Sequence, residues 1–191
     1  MIHAQRSGLL VFIAFLLPAL GCEKEVPLPA TSTGHPAPWD PNTPYEPGIE
    51  PPELSTEITN QYFPGPQGAR WVYEGMTDEG MEHIEVYVEE DTRDVWGVTA
   101  TVIRDTVELE GEMIEDTWDW YGQDLEGNVW YLGEETYEYE NGVEVCDCGA
   151  WESGVDGALP GIIMFAEPEV GIAYRQEYLE NEAEDLAEIV E

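Results

Sequence analysis

Positive charge is scarce in this sequence. Its 191 residues hold 6 Lys and Arg against 42 Asp and Glu, which gives a formal net charge of −36. Nucleic acids and anionic lipid headgroups would repel such a chain, so the composition argues against both as partners. Cations, including Ca²⁺, are compatible with it, although a hydrated acidic surface that maintains solubility is the simpler interpretation.

Histidine and cysteine are also scarce, with three of each. A zinc site needs about four ligands, and beyond residue 22 the sequence offers only His35 and His83 as histidines. No nucleophile-elbow motif surrounds the three serines of that region, Ser32, Ser55 and Ser153. Carboxylate pairs of the glycosidase type stay open, because Asp and Glu occur throughout. We therefore predict a non-enzymatic protein that needs no cofactor.

Long apolar runs are absent as well. The longest extends from Leu9 to Leu20, is interrupted by Pro18, and is too short for a comfortable membrane span. It follows Arg6 and ends in the tetrapeptide ALGC, which resembles the lipobox of bacterial lipoproteins. We predict a lipoprotein signal peptide over residues 1–21. An ordinary secretory signal followed by an incidental cysteine is the alternative.

Cleavage before the cysteine of ALGC would make Cys22 the first mature residue and the site of lipidation. Firm anchoring needs several acyl chains, since each buried CH₂ contributes only about 0.8 kcal/mol. Glu23 follows the cysteine, and the absence of Asp there favours the outer membrane, by resemblance to the sorting rule of enteric bacteria. We expect a cell-envelope protein that contacts the membrane through the lipid on Cys22; the sequence specifies no protein partner.

Residues 22–58 are predicted to be a proline-rich tether. Nine of the 14 prolines of the chain lie in this segment. Proline fixes φ and removes a hydrogen-bond donor, so we expect an extended, polyproline-like segment without a core. At about 3.1 Å per residue it could hold a domain roughly 100 Å from its lipid anchor.

Residues 59–191 are predicted to be an acidic β domain. Segments 70–75, 82–90 and 96–110 show the period-two alternation and the β-branched residues that are typical of strands. Gly111 then opens a turn, and the chain returns as the next strand. The spacing predicts a mainly β fold with a single antiparallel sheet, either barrel-like or a sandwich.

Two further elements are expected near the end of this domain. A turn should follow the strand at 129–135, because Gly133 and two acidic residues end its apolar run. A short C-terminal helix is predicted over residues 181–191, with Asn181 as its N-cap and Glu184 at the third helical position. Its eleven residues are marginal for an isolated helix.

Residues 115–135 interleave aromatic side chains with carboxylates. Trp118, Trp120, Trp130 and Tyr131 are the candidate ligand-binding residues of this block. Tryptophans beside carboxylates on a β face could stack on envelope glycans, including peptidoglycan, and place hydrogen-bonding groups beside them. The alternative is that these residues are ordinary strand residues that pack in the core.

Alternation along the strand favours the core interpretation. Trp118 and Trp120 point to one side of the predicted strand, and Asp119 points to the other. A solvent-facing Asp119 would place both tryptophans inside. A glycan-binding surface would instead require exposed, coplanar tryptophans.

Cys146 and Cys148 form the most distinctive motif of the chain. On a strand, residues i and i+2 share a face, so the two sulfurs lie close together and could bind a soft metal such as Cu(I) or Zn²⁺. Free thiols or a disulfide in an oxidising periplasm are favoured, because no further ligands lie nearby in the sequence. The metal-handling function therefore stays an alternative.

Several segments resemble a group of secreted and lipid-anchored bacterial proteins that have no assigned activity. The similarity includes WVYEG, PGIIM and AEDLAEI, covers roughly residues 60–191, and is most specific in residues 102–142. It implies one mainly β domain and supplies no catalytic residues. Relatives continue past AEDLAEI with more strands. We thus expect either a truncated product with an exposed sheet edge or a natural short form whose final helix covers that edge.

Overall fold

The computed structural model describes residues 44–190. The predicted signal peptide 1–21, Cys22 and the tether as far as residue 43 lie outside these residues. The described chain is mainly β, with 55% strand and 2% helix, which confirms the predicted fold class. It contains no helix long and apolar enough to cross a membrane.

One 3₁₀ turn at Pro51–Glu53 precedes the strands. The strands of the described residues are β1 (Arg70–Met76), β2 (Met81–Val95), β3 (Val98–Leu109), β4 (Glu112–Gln123), β5 (Val129–Glu140), β6 (Val143–Cys146), β7 (Trp151–Glu152), β8 (Leu159–Met164), β9 (Ala173–Arg175), β10 (Glu177–Tyr178) and β11 (Leu186–Glu188). The main sheet has the order β1-β2-β3-β4-β5-β8-β10, with β6 and β7 both paired to β5. This antiparallel sheet curls into a half-barrel, and β9 and β11 form a separate two-stranded sheet.

Three hairpins of the main sheet share one kind of turn. The central residues are Trp96–Gly97 between β2 and β3, Glu110–Gly111 between β3 and β4, and Asn141–Gly142 between β5 and β6. Both residues of each turn have positive φ, with values from 52° to 82°. Two-residue turns of this kind match the twist of the flanking strands, and glycine adopts the second position without steric cost. These turns explain why β2, β3 and β4 lie side by side in chain order and why β6 pairs with β5.

The central sheet buries side chains on both of its faces. We name them the tyrosine face, which carries Tyr121 and Tyr131, and the tryptophan face, which carries Trp120 and Trp130. Each face has its own cluster of buried apolar residues. Because side chains alternate along a strand, both the odd and the even positions of β4 and β5 had to be suitable for burial.

Residues 44–58, which the sequence assigned to the tether, lie against the sheet. The Tyr45 hydroxyl donates to the carbonyl of Pro160 at 2.8 Å. Ser55 and Gln123 exchange two backbone hydrogen bonds of 2.8 and 2.9 Å, and Ile58 is buried in the tyrosine-face cluster. A phenol hydroxyl, a backbone pair and one buried apolar side chain thus attach this segment to the sheet.

The predicted C-terminal helix is wrong. Leu186–Glu188 forms β11, which pairs antiparallel with Ala173–Arg175 of β9. The capping contact of the prediction exists without a helix, because the Asn181 N–H donates to the Glu184 carboxylate at 3.2 Å. Burial of Ala183 beside this turn and strand pairing outweigh the weak helical preference of a short segment.

The predicted turn after residue 135 is also wrong, because β5 continues from Val129 to Glu140. Gly133 is accommodated within the strand at a φ of 138°, where the register between β4 and β5 shifts. A side chain on Gly133 would collide with the carbonyl oxygen of Trp151. The glycine here permits close backbone approach rather than a chain reversal.

Candidate functional site

An open cleft lies on the tryptophan face. It has a volume of about 240 Å³ and is lined by Arg93, Val102, Trp118, Trp120, Glu135 and Tyr137. These residues come from β2, β3, β4 and β5. The cleft thus combines aromatic rings with one cation and one carboxylate. Such a set suits a ligand that has both an apolar face and polar groups.

Strand register determines which side chains meet at this cleft. Direct cross-strand pairs connect β1 to β5 in one row, which consists of Arg70, Tyr87, Arg104, Trp118 and Glu135. Directly opposite residues of antiparallel strands point to the same side of the sheet. All five side chains of this row therefore belong to the tryptophan face.

Arg93 stacks on the indole of Trp120. Its guanidinium carbon lies 3.8 Å from the ring centroid, within the range of a cation–π interaction. The same guanidinium forms ion pairs with Glu152 at 3.0 Å and with Glu135 at 3.5 Å. Arg93 is therefore fixed from three sides, and it positions the carboxylate of Glu135 at the cleft.

Arg104 holds the second tryptophan of the cleft. Its guanidinium donates two hydrogen bonds of 2.8 Å to the carboxylate of Asp116 and lies 4.7 Å from the ring centroid of Trp118. Tyr137 also contacts this indole edge to face, with 6.2 Å between ring centroids. The two parallel hydrogen bonds to Asp116 restrict the orientation of the Arg104 guanidinium more than a single hydrogen bond would.

Most of the positive charge of the described residues lies on this face. Arg70, Arg93 and Arg104 point to it, and the fourth arginine of residues 44–190, Arg175, contacts Glu184. In a chain with a net charge of −36, the tryptophan face is thus where three of the four described arginines lie.

The tyrosine face has the opposite character, because on this face the central strands β3 to β5 carry carboxyl groups and no arginine. Asp119 and Glu134 are direct cross-strand partners between β4 and β5, and Glu115 and Glu138 form a second such pair. Like charges directly opposite one another destabilise a sheet. Asp105 on β3 lies beside these pairs, opposite Thr117.

Burial and mutual repulsion keep several of these carboxyl groups protonated near neutral pH. Burial, with a smaller contribution from neighbouring carboxylates, raises the pKa of Glu134 to about 8, of Glu115 to about 7 and of Asp105 to about 6. Burial also raises the pKa of Asp119. The pKa of Tyr131 is raised by burial as well, so its phenol retains its proton.

This acidic group does not form a metal centre in the described residues. No set of three or more His, Cys, Asp or Glu side chains within residues 44–190 is arranged to hold a metal ion. Asp119 is buried on the tyrosine face, whereas the cleft opens on the tryptophan face. The carboxyl groups with raised pKa are therefore separated from the cleft by the sheet.

The four predicted ligand-binding residues do not form one surface. Trp118 is half-buried and lines the cleft, and Trp120 lines it with only 3% of its surface exposed. Trp130 is buried on the same face and donates its indole N–H to Asp124 at 2.8 Å. Tyr131 is buried on the opposite face.

The prediction that Asp119 faces solvent is wrong. Its side chain is 8% exposed, and its Oδ1 atom lies 2.5 Å from the Tyr131 hydroxyl. The reason is that both faces of β4 are covered, so a polar residue between two tryptophans does not mark a wet face. Trp120 is buried as expected. The other side of the sheet, however, carries a second buried cluster and not the solvated surface that the prediction assumed.

Cys146 and Cys148 form a disulfide at the end of β6. The bond occupies both sulfurs that the metal-handling hypothesis needs as thiolates. The predicted lipidation site, Cys22, lies outside the described residues.

Sequence reasoning missed four lining residues of the cleft, Arg93, Val102, Glu135 and Tyr137, and its support Arg104. Each is an ordinary strand residue in the sequence, and only strand register brings it beside Trp118 or Trp120. The scarcity of arginine was the available signal, because a rare residue type on three neighbouring strands merits attention.

No protein-family model, no curated protein and no solved structure matches this chain significantly.

Proposed function

We propose that this chain is a lipid-anchored cell-envelope protein that binds a neutral glycan in the cleft of the tryptophan face and has no catalytic activity. The observation that carries the proposal is the composition of the cleft, in which Trp118 and Tyr137 lie beside the Arg93–Glu135 ion pair. Sugar rings present apolar C–H faces that pack on aromatic rings, and their hydroxyls both donate and accept hydrogen bonds. The cleft offers partners for each of these groups. The aromatic pair is Trp118 with Tyr137, whose rings meet edge to face, so the proposal rests on this pair and not on the exposed, coplanar tryptophans that the sequence-based hypothesis required.

Electrostatics favour a neutral glycan over an acidic one. The single cation of the cleft, Arg93, is already paired with Glu135 and Glu152. A net charge of −36 on the whole chain repels polyanions. A volume of about 240 Å³, below the roughly 300–1,000 Å³ of drug-sized ligand pockets, suits a sugar ring within a longer chain.

Binding without catalysis is the better interpretation of the carboxylates. A glycosidase needs two carboxyl groups that flank the scissile bond. The cleft is lined by one, Glu135, and this carboxylate is paired with Arg93. Three carboxyl groups whose raised pKa would suit a general acid, those of Glu115, Asp119 and Glu134, lie on the tyrosine face.

The envelope location rests on the sequence. The signal over residues 1–21, the cysteine at position 22 and the following glutamate support lipid anchoring at the outer membrane. The resemblance to secreted and lipid-anchored bacterial proteins agrees with this location. A glycan-binding role suits a protein that is tethered beside the polysaccharides of the envelope.

Calorimetric titration of the full chain tests the binding proposal. The probes are N-acetylglucosamine oligomers and cello-oligosaccharides as neutral glycans, and oligogalacturonate as an acidic one. We expect binding of a neutral series, weaker binding of the acidic one, and a loss of roughly tenfold or more in affinity for Tyr137→Ala.

Tyr139→Ala is the matched control, because Tyr139 lies on the same strand, is also half-buried, and does not line the cleft. It should bind as the parent does. Absence of heat with every neutral glycan, or equal affinity of the Tyr137 and Tyr139 variants, would reject the proposal.

A further inference from the structure

Strand β1 forms an open edge of the half-barrel. It is the first strand of the sheet order, and among residues 44–190 no strand pairs with its outer side. Arg70, Val72, Glu74 and Met76 are exposed along it, with 49% of Val72 and 72% of Met76 accessible. An open edge presents backbone donors and acceptors that another strand can use.

Two hydrogen bonds establish which backbone groups of β1 are free. The Val88 N–H donates to the Ala69 carbonyl at 2.9 Å before β1, and the Thr77 N–H donates to the Gly80 carbonyl at 2.8 Å after it. Hydrogen-bonded pairs alternate along an antiparallel ladder. Odd-numbered residues between positions 69 and 77 therefore bond to β2.

The even-numbered residues of β1 consequently point their N–H and C=O groups away from the sheet. Arg70, Val72 and Glu74 are the central three of these residues. The cation of Arg70 lies two residues before Val72, and the carboxylate of Glu74 lies two residues after it. Such a sequence is complementary to itself when it is read in the opposite direction.

We propose that β1 pairs antiparallel with β1 of a second copy of this chain, about a two-fold axis at Val72. In this register Val72 lies opposite Val72 of the second copy, and Arg70 lies opposite Glu74 on both sides of the axis. All three pairs use the free backbone groups and are hydrogen-bonded pairs. The contact is self-complementary, as a two-fold interface requires.

Charge selects this register from the alternatives. Opposite charges directly across two strands stabilise their pairing, and like charges oppose it. A shift of the register by two residues would place Arg70 opposite Val72 and leave the charges unmatched. Arg70 is one of four arginines in the described residues, and its place on the edge counters the repulsion between two acidic molecules.

A cysteine at the two-fold axis tests the geometry directly. Opposite Cα atoms of a hydrogen-bonded pair are about 5.5 Å apart, within the range that a disulfide spans. Full-length Val72→Cys should therefore form a covalent dimer on mild oxidation, seen on a non-reducing gel. Val143→Cys is the control, because Val143 is an exposed valine on another strand, β6. The parent chain measures any cross-linking through its native cysteines.

Charge exchange tests the register. In the Val72→Cys background, Arg70→Glu and Glu74→Arg should each lower the yield of covalent dimer by roughly tenfold, because each creates two like-charge contacts. The double variant restores both opposite-charge pairs and should recover the yield. Equal cross-linking of Val72→Cys and Val143→Cys, undiminished cross-linking of the single variants, or no recovery in the double variant would overturn the proposal.

Discussion

Asp119 and Glu134 face each other directly across β4 and β5, and both carboxyl groups reach the same phenol. The Tyr131 hydroxyl oxygen lies 2.5 Å from Asp119 Oδ1 and 2.8 Å from Glu134 Oε2. A phenol has one proton to donate, so it satisfies one carboxylate and accepts from the other carboxyl group when that group is protonated. The folded structure therefore holds a proton on one of the two carboxyl groups, in a hydrogen bond to the Tyr131 hydroxyl.

Stability should fall as pH rises. A carboxyl group whose pKa is raised by folding binds its proton more tightly in the folded chain, so its ionisation opposes folding. The pKa of Asp105, Glu115, Glu177 and Glu134 is raised by burial to between about 6 and about 8. The penalty begins above the ordinary carboxyl pKa near 4 and is complete above pH 8. Thermal denaturation should show a Tm roughly 5–10 °C lower at pH 8 than at pH 5.

Glu134→Gln isolates this effect from the general repulsion of an acidic chain. The amide cannot ionise, so the variant should lose less stability than the parent between pH 6 and pH 8. Glu79→Gln, at an exposed turn position, removes the same charge and is the control. A Tm that rises with pH in the parent, or equal slopes in both variants, would contradict the protonated pair.

The Arg104–Asp116 pair should contribute measurably to folding. Asp116 is buried and accepts two hydrogen bonds of 2.8 Å, while the side chain of Arg104 is 39% exposed. Arg104→Ala should therefore lower the free energy of unfolding by about 2 kcal/mol, less than the 3–5 kcal/mol of a fully buried pair. Urea denaturation of Arg104→Ala, Asp116→Ala and the double variant measures the coupling energy between the two residues. Strict additivity would show that the two residues do not support each other.

Gly133→Ala should be among the most damaging substitutions in the sheet. Gly133 has a φ of 138°, and a Cβ atom there would collide with the backbone of Trp151 and Glu152. We expect a loss of roughly 3 kcal/mol from strain and overpacking. Gly75→Ala is the matched control, because a Cβ atom on Gly75 would meet no atom within 4 Å beyond its chain neighbours, and its φ is not positive. Similar Tm values for the two variants would show that β5 accommodates a side chain at position 133 without strain.

The disulfide predicts a specific thiol pattern. Because Cys146 and Cys148 are bonded to each other, neither should react with iodoacetamide before reduction, and both should react after it. Peptide mass spectrometry counts the modified residues. Modification of both cysteines in the unreduced, freshly isolated protein would revive the metal-handling hypothesis.

The sheet itself was predictable because its signals are local. Period-two alternation and X-Gly turns such as Glu110–Gly111 placed β1 to β5 within about five residues of their observed bounds, whereas β8 lies in a segment whose glycines and prolines indicated a loop. The face assignments failed for a physical reason, namely that β4 is buried on both sides. Alternation then identifies which residues share a face, but it does not identify the face that solvent reaches.

The cleft was not predictable, because a bulge determines its register. Counted outward from the Glu110–Gly111 turn, Arg104 would lie opposite Thr117. An extra residue on β4, Ile114, shifts the pairing so that Arg104 faces Trp118. A shift of one residue transfers a side chain to the other face of its partner strand, and nothing local in the sequence indicates that shift.

Glycan binding at the cleft is tested most directly by the indole N–H signals in an ¹H–¹⁵N spectrum. The seven tryptophans of the chain provide separate reporters on binding, and those of Trp130 and Trp151 are buried away from the cleft lining. During titration with cellohexaose or the N-acetylglucosamine hexamer, the signals of Trp118 and Trp120 should shift in a saturable way while those of Trp130 and Trp151 stay in place. Unchanged Trp118 and Trp120 signals with both glycans, or shifts confined to other tryptophans, would contradict the proposed site.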